Sequence, residues 1–208
     1  MKLVLASKSP RRSEILRNAG IDFTVRVADA DETIPDGTKP EDAVVFLAAR
    51  KALAVERAED ETVLGADTIV VLDDKILGKP KDREDAYNML RSLSGRVHSV
   101  FTGVCAVGNG ISLTFAEETK VEFYPLTDDE INEYIDTNEP YDKAGAYGIQ
   151  GIASKFIRGI QGDYFNVVGL PISSVYKKII KMRCIYEKNF NNYYINIYYV
   201  FMWMQCNK

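Results

Sequence analysis

Apolar and polar positions are most regularly ordered in TVLGADTIVVL, residues 62–72. Val63, Gly65, Asp67, Ile69 and Val71 fall on one face, and Leu64, Ala66, Thr68, Val70 and Leu72 on the other. Both faces are mostly apolar, which predicts a strand covered on both sides and central in its sheet. KLVLAS at the start of the chain reads as a short buried strand. Ser9-Pro10 then opens a helix, with Ser as N-cap and Pro in the first helical position, and Asn18-Ala19-Gly20 closes it. FTVRVAD predicts a second strand, and the stretch after Pro40, from about residue 41 to 57, predicts a long helix. Asp73-Asp74 turns the central strand into KILGKP, and DREDAYNMLRSLSG predicts a helix ended by Gly95. The alternation from Val97 to Pro125 turns at GNG and predicts a long hairpin. Thr127 and Glu130 have capping-box spacing. A Gly-rich loop, NEPYDKAGAYGIQG, precedes a strand pair around FIRGIQGDYFNVVG and a helix near Pro171. The order predicts an α/β fold, a mixed twisted sheet flanked by helices.

This pattern stops near residue 181. Residues 1–181 read as one domain and residues 182–208 as a biased extension rich in Asn, Tyr, Ile and Lys. A partner-binding tail is the other meaning of such a stretch, but its apolar run YYVFMWM is too short to span a bilayer. Lys8, Arg11 and Arg12 interrupt the N-terminal apolar run, so neither a signal peptide nor a membrane span is expected. A net charge of −4 argues against a nucleic-acid surface. Three cysteines without a CxxC pair suggest a reduced, cytoplasmic setting. One histidine, His98, cannot build a His-rich metal site, so a metal would need oxygen ligands.

Asp67 is the anomaly in the central strand, because an unpaired buried carboxylate is very costly and needs a cation, a metal or a protonated state. Helical spacing supplies a cation: Val44, Leu47, Ala48, Lys51 and Val55 share one face, so Lys51 lies on an apolar stripe. In the first helix Arg12, Ile15, Leu16 and Ala19 share a face, with Arg11 about 100° round from Arg12. SKSPRR joins a strand to a helix N-terminus, where free amides and two arginines suit an anion, although a solvated basic turn is the commoner meaning. Lys79 lies just beyond the Asp67 hairpin, Glu32 sits in DADET, and Asp142 and Lys143 stand in a loop whose small residues allow close approach to a ligand. Cations suit a polyphosphate, while carboxylates suit Mg²⁺ and an attacking water. No nucleophile–base pair stands out.

LASKSPRRSEIL, LGADTIVVLD with LGKP, and DKAGAYGIQG followed by VVGLP resemble, in order and spacing, the Maf family of nucleoside triphosphate pyrophosphatases, also called septum formation inhibitors. The likeness covers about residues 2–180 and points to the branch acting on dTTP and UTP. It implies two lobes around a central cleft, similar to inosine triphosphatase-like folds, a divalent cation (Mg²⁺ or Mn²⁺) and the family's usual homodimer. It implies Asp67 as the proton acceptor that activates water, with Glu32, Lys51 and Lys79 as charged cleft residues and Asp67 and Glu32 as the metal carboxylates. Arg11, Thr68 and Gln150 match positions that choose the pyrimidine base, and Ser7 and Arg12 match the phosphate-binding segment. The alternative is a non-catalytic nucleotide-binding regulator of cell division, which has no need of Asp67 as a base.

Overall fold

The computed structural model describes residues 2–35 and 37–181, so the reading of residues 182–208 lies outside the described residues. Seven strands form one mixed sheet. They are β1 (Lys2–Leu5), β2 (Thr24–Val25), β3 (Glu61–Leu72), β4 (Lys75–Leu77), β5 (Val97–Gly108), β6 (Ile111–Phe123) and β7 (Ile157–Gln161). The order is β2-β1-β3-β5-β6-β7, with β4 paired to β3. β1 is parallel to β2 and β3, whereas β3, β5, β6 and β7 run antiparallel in succession. The helices are α1 (Pro10–Asn18), α2 (Pro40–Leu53), α3 (Arg83–Leu93), α4 (Asp128–Ile135), α5 (Tyr164–Val168) and α6 (Ile172–Val175). Among the described residues no helix is long and apolar enough to cross a membrane.

β3 is interior to the sheet and covered on both faces, as its two apolar faces require. Val63 packs with Ala48 and Ala52 of α2, and Ile69 and Val71 pack with Ala43 and Val44 of the same helix. On the other face Leu64 and Ala66 join Leu16 of α1 and Leu170. Val70 and Leu72 instead join a separate cluster with Leu90, Phe123 and Phe156.

α2 lies unusually deep. A Cβ placed on Gly103 would come 2.2 Å from the Val44 carbonyl, and one on Gly65 would come 2.3 Å from the Ala48 carbonyl. Glycine at both positions, under a helix face rich in alanine, lets the helix backbone touch the strand backbone.

The two edges of β3 differ. On one side β5 pairs it from Val63 to Val71. On the other, β1 pairs it only up to Leu64, and β4 begins at Val70. Between them β1 has turned away into α1, and Gly65–Ile69 carries no neighbouring strand among the described residues. Within residues 62–72 only Asp67 and Thr68 are not buried. Both reach the gap, although they alternate across the strand, because an unpaired edge opens onto both faces.

The capping box at Thr127 and Glu130 forms as the spacing predicts, and Asp82 caps α3 through the Asp85 amide. Other details differ. Ser9 sits at the N-cap of α1, but its side chain makes no capping bond; its amide donates to Ser7 Oγ at 3.2 Å. FTVRVAD contributes only Thr24–Val25 to the sheet. α2 ends at Leu53, short of 57, yet Val55 stays buried. FIRGIQGDYFNVVG is one strand and one helix. Gly162 at φ 129° ends the strand, and the Asp163 carboxylate accepts from the Phe165 amide to start α5. After Pro171, α6 widens into a π-helical turn, Tyr176–Lys181.

His98 is no ligand. It is 3% exposed, edge-on to Phe123 and Tyr147, with Nε2 at 2.7 Å from the Tyr147 hydroxyl. Burial pushes its pKa down to about 4.

Two expectations follow from this packing. Gly103→Ala forces α2 off the sheet and should cost roughly 1–3 kcal/mol of unfolding free energy by urea titration; wild-type stability would contradict the close approach. His98 is neutral when folded but takes a proton near its ordinary pKa when unfolded. Its contribution is therefore complete above about pH 6.5 and is lost as pH falls toward 4. Between pH 7 and 5 the protein should lose about 2 kcal/mol more stability than His98→Phe. Equal losses in the two proteins would exclude the buried imidazole as the cause.

Candidate active site

A cleft of about 1010 Å³ opens at the bare edge of β3. Every site residue named from sequence lines it: Ser7, Arg11, Arg12, Glu32, Lys51, Asp67, Thr68, Lys79, Asp142, Lys143 and Gln150. They come from distant parts of the chain and do different things within it.

Lys51 is the hub. Its Nζ lies 2.5 Å from Asp67 Oδ1 and 2.8 Å from Glu32 Oε1. The side chains of Lys51 and Asp67 are only 20% and 14% exposed, so each depends on the other for neutralisation. The depth of α2 brings this lysine to the strand. Glu32 arrives from the long connection after β2, and the hydrogen bond from Lys51 holds its carboxyl below the ordinary range, with the charges of Lys79 and Arg12 adding to the effect. Among the described residues Asp67 Oδ2 makes no hydrogen bond. Lys79 is exposed and carries no ion pair among the described residues, so its charge is available to the cleft.

Arg12 braces the site from within. Its Nε donates to the Gly169 carbonyl at 2.7 Å, Nη1 to Ser7 Oγ at 3.1 Å and Nη2 to Thr68 Oγ1 at 3.1 Å. Three of its five N–H groups therefore tie α1 to β3 and to the end of α5, which leaves two for a ligand. Burial pushes its pKa down, partly offset by the charge of Asp67.

Arg11 turns outward to the loop, where its Nη1 is 3.9 Å from Asp142 Oδ2. Asp142 also accepts from Lys143 Nζ at 2.6 Å. Burial raises the Asp142 carboxyl, but the bond from Lys143 and the charges of Lys143 and Arg11 outweigh it and leave the pKa below the ordinary range. Lys143 Nζ also donates to the Glu139 carbonyl at 2.6 Å. Gln150 is exposed, and its amide makes no hydrogen bond among the described residues.

Two glycines of this loop, both lining the cleft, also make room for the protein's own side chains. A Cβ on Gly151 would fall 2.3 Å from the Glu139 carboxylate, and one on Gly148 would fall 2.7 Å from Lys143 Cε. The loop winds around these two side chains. Glu139 fastens it by accepting from Tyr134 Oη at 3.0 Å and from the Ile152 amide at 2.8 Å. Sequence reasoning missed Glu139, which reads as one more acidic residue in a polar loop. It also missed Thr102, which accepts from or donates to Thr68 across the strand pair at 2.9 Å. Its one available signal was a hydroxyl among apolar neighbours.

Among the described residues no group of three or more His, Cys, Asp or Glu is arranged to hold a metal ion. The oxygens of Asp67 and Glu32 nevertheless converge on one cation, Lys51 Nζ. Two carboxylates beside room for a polyphosphate suit Mg²⁺, which keeps waters and takes its other ligands from phosphate.

Comparison with known proteins agrees in extent with this architecture. The family model described as Maf-like protein matches residues 2–182. A dTTP/UTP pyrophosphatase of Bacillus anthracis (strain CDC 684 / NRRL 3495) is 49% identical over 179 residues, covering 86% of this chain and 94% of that protein. A dTTP/UTP pyrophosphatase of Bacillus cytotoxicus is 51% identical over the same length. Among solved structures, the Staphylococcus aureus Ham1 protein is similar with a TM-score of 0.43 and 19% identity, over 59% of this chain and 72% of that one, too distant to bear on the site. The family match over nearly the whole described fold, with about half of the aligned positions shared with near-full-length relatives, makes this chain a member of the Maf-like protein family.

Proposed function

We propose that the cleft hydrolyses the α–β phosphoanhydride of pyrimidine nucleoside triphosphates, dTTP and UTP above all, giving the monophosphate and pyrophosphate. The observation that carries it is the pair of carboxylates, Asp67 and Glu32, held on one ammonium at the open edge of the strand. The names of the relatives support the same reaction.

Asp67 uses Oδ1 to bind Lys51, which leaves Oδ2 to take the proton of the attacking water. Lys51 fixes the carboxylate, and β3 keeps it rigid. Lys79 supplies positive charge where negative charge builds on the phosphates. The α1 N-terminus adds the Arg11 and Arg12 amides, which have no carbonyl one turn back to bond. Asp67 and Glu32 would hold Mg²⁺ or Mn²⁺, which supplies Lewis-acid polarisation of phosphate oxygens when bound. Arg11, Thr68 and Gln150 read the base, since an amide and a hydroxyl match the O and N–H edge shared by uracil and thymine.

Asp67→Asn keeps the shape and removes the base, so turnover should drop by at least about 10²-fold while nucleotide binding persists. Near-normal turnover in the folded variant would remove Asp67 from this role, whereas a wild type that binds nucleotide without releasing pyrophosphate would favour a binding-only regulator. With a panel of triphosphates and Mg²⁺ or Mn²⁺, the first phosphorus product should be pyrophosphate. The kcat/KM for dTTP and UTP should exceed that for ATP and GTP by at least about tenfold, because unpaired polar groups reject a mismatched base. Orthophosphate as primary product, or a preference for purines, would sink the proposal.

A further inference from the structure

The two polar side chains proposed to read the base ring differ in freedom. Gln150 is exposed and unbonded among the described residues, so its amide can turn over and exchange donor for acceptor. That group alone does not separate uracil from cytosine. Thr68 has no such freedom. Arg12 Nη2 donates to Thr68 Oγ1 at 3.1 Å, and a guanidinium has no acceptor. At the far end, Thr102 Oγ1 donates to the Asn166 carbonyl at 2.8 Å, and a carbonyl oxygen has no proton. Between these ends lie two hydroxyls 2.9 Å apart. Thr102 has one proton and gives it to Asn166, so Thr68 must give its own to Thr102. Only this arrangement satisfies every member of the chain.

The chain is also insulated. Thr102 and Asn166 are both 0% exposed. Asn166 is clamped from its other end, because its Nδ2 donates to the Val100 carbonyl at 3.0 Å and to Thr119 Oγ1 at 3.1 Å. Thr68 therefore meets the cleft with a lone pair and no proton.

We infer that Thr102, which touches no substrate, is a positioning residue that sets base specificity by fixing the direction of the Thr68 hydroxyl. An acceptor-only Thr68 favours a ring that carries N3–H, as uracil and thymine do, over cytosine, whose N3 is itself an acceptor. The inference rests on the pyrimidine triphosphate reading of the cleft.

Thr102→Val keeps the shape but removes the acceptor, which frees the Thr68 proton to turn toward the ligand. The ratio of kcat/KM for UTP over CTP should fall about three- to tenfold, the size of one neutral hydrogen bond. Thr102→Ser should restore the ratio, because it restores the hydroxyl chain. Thr68→Val should lower the same ratio, and adding Thr102→Val to it should change nothing more. If Thr68→Val alone leaves the ratio unmoved, Thr68 does not read the base and the inference falls with that assignment. If Thr68→Val lowers it and Thr102→Val does not, the base contact stands and the role of Thr102 is overturned. Because Thr102→Val also strips the Asn166 carbonyl of a partner, a variant-free measurement accompanies it. Neutron diffraction of the deuterated wild type should find the Thr68 deuteron directed at Thr102; a deuteron directed into the cleft would overturn the inference.

Discussion

An ammonium shared by two carboxylates makes strict demands on the structure around it. Lys51 must be brought to Asp67 through an apolar helix face, and neither group is exposed enough to rely on water alone. Their separation is set by how closely α2 approaches β3, which Gly65 and Gly103 control by having no side chain between helix and strand. A methyl group at either place would displace the lysine along with the helix. Glu32 is the adaptable member, at 63% exposed and on a connection outside regular structure.

The second constraint is the bare edge of β3. A central strand ordinarily has both edges filled, and its side chains are then sealed on two faces. Here β1 departs after Leu5, and β4 arrives only at Val70. The interval exposes Asp67 and Thr68 together although they point to opposite faces. Asp67 goes to the Lys51 side, and Thr68 goes to the side of Arg12, Thr102 and α5. One opening thus receives a charged centre from one layer and a neutral, directional hydrogen-bond chain from the other. Arg12 links them mechanically, since it joins α1, β3 and the carbonyl closing α5.

The loop from Glu139 to Gly151 closes the opposite wall by a different device. It has little regular structure, and its shape comes from wrapping its own side chains. Glu139 gathers Tyr134 and the amide of Ile152, while its carbonyl accepts from Lys143. Gly148 and Gly151 are the points where that wrapping leaves no room for a Cβ.

The sequence by itself determined the elements whose signals are local. Two-sided apolar alternation marked β3 as central, the GNG turn set the β5–β6 hairpin, and Thr127 with Glu130 specified a helix start. Helical spacing also put Lys51 on an apolar stripe, and the cost of burying Asp67 required a cation, a metal or a proton for it. Where local signals compete, the sequence was a poorer guide: DYFNVVG reads as a strand until Gly162 and the Asp163 cap turn it into α5. Only tertiary structure decided that Lys51 is that cation and that it also holds Glu32. The same is true of Arg12 as a three-way tie and of the loop glycines as seats for Glu139 and Lys143. The polarity of Thr68 depends on Thr102 and Asn166, which lie 34 and 98 positions away in the chain. No periodicity reports such contacts, because they are fixed by which strands pair and how deeply a helix sinks onto them.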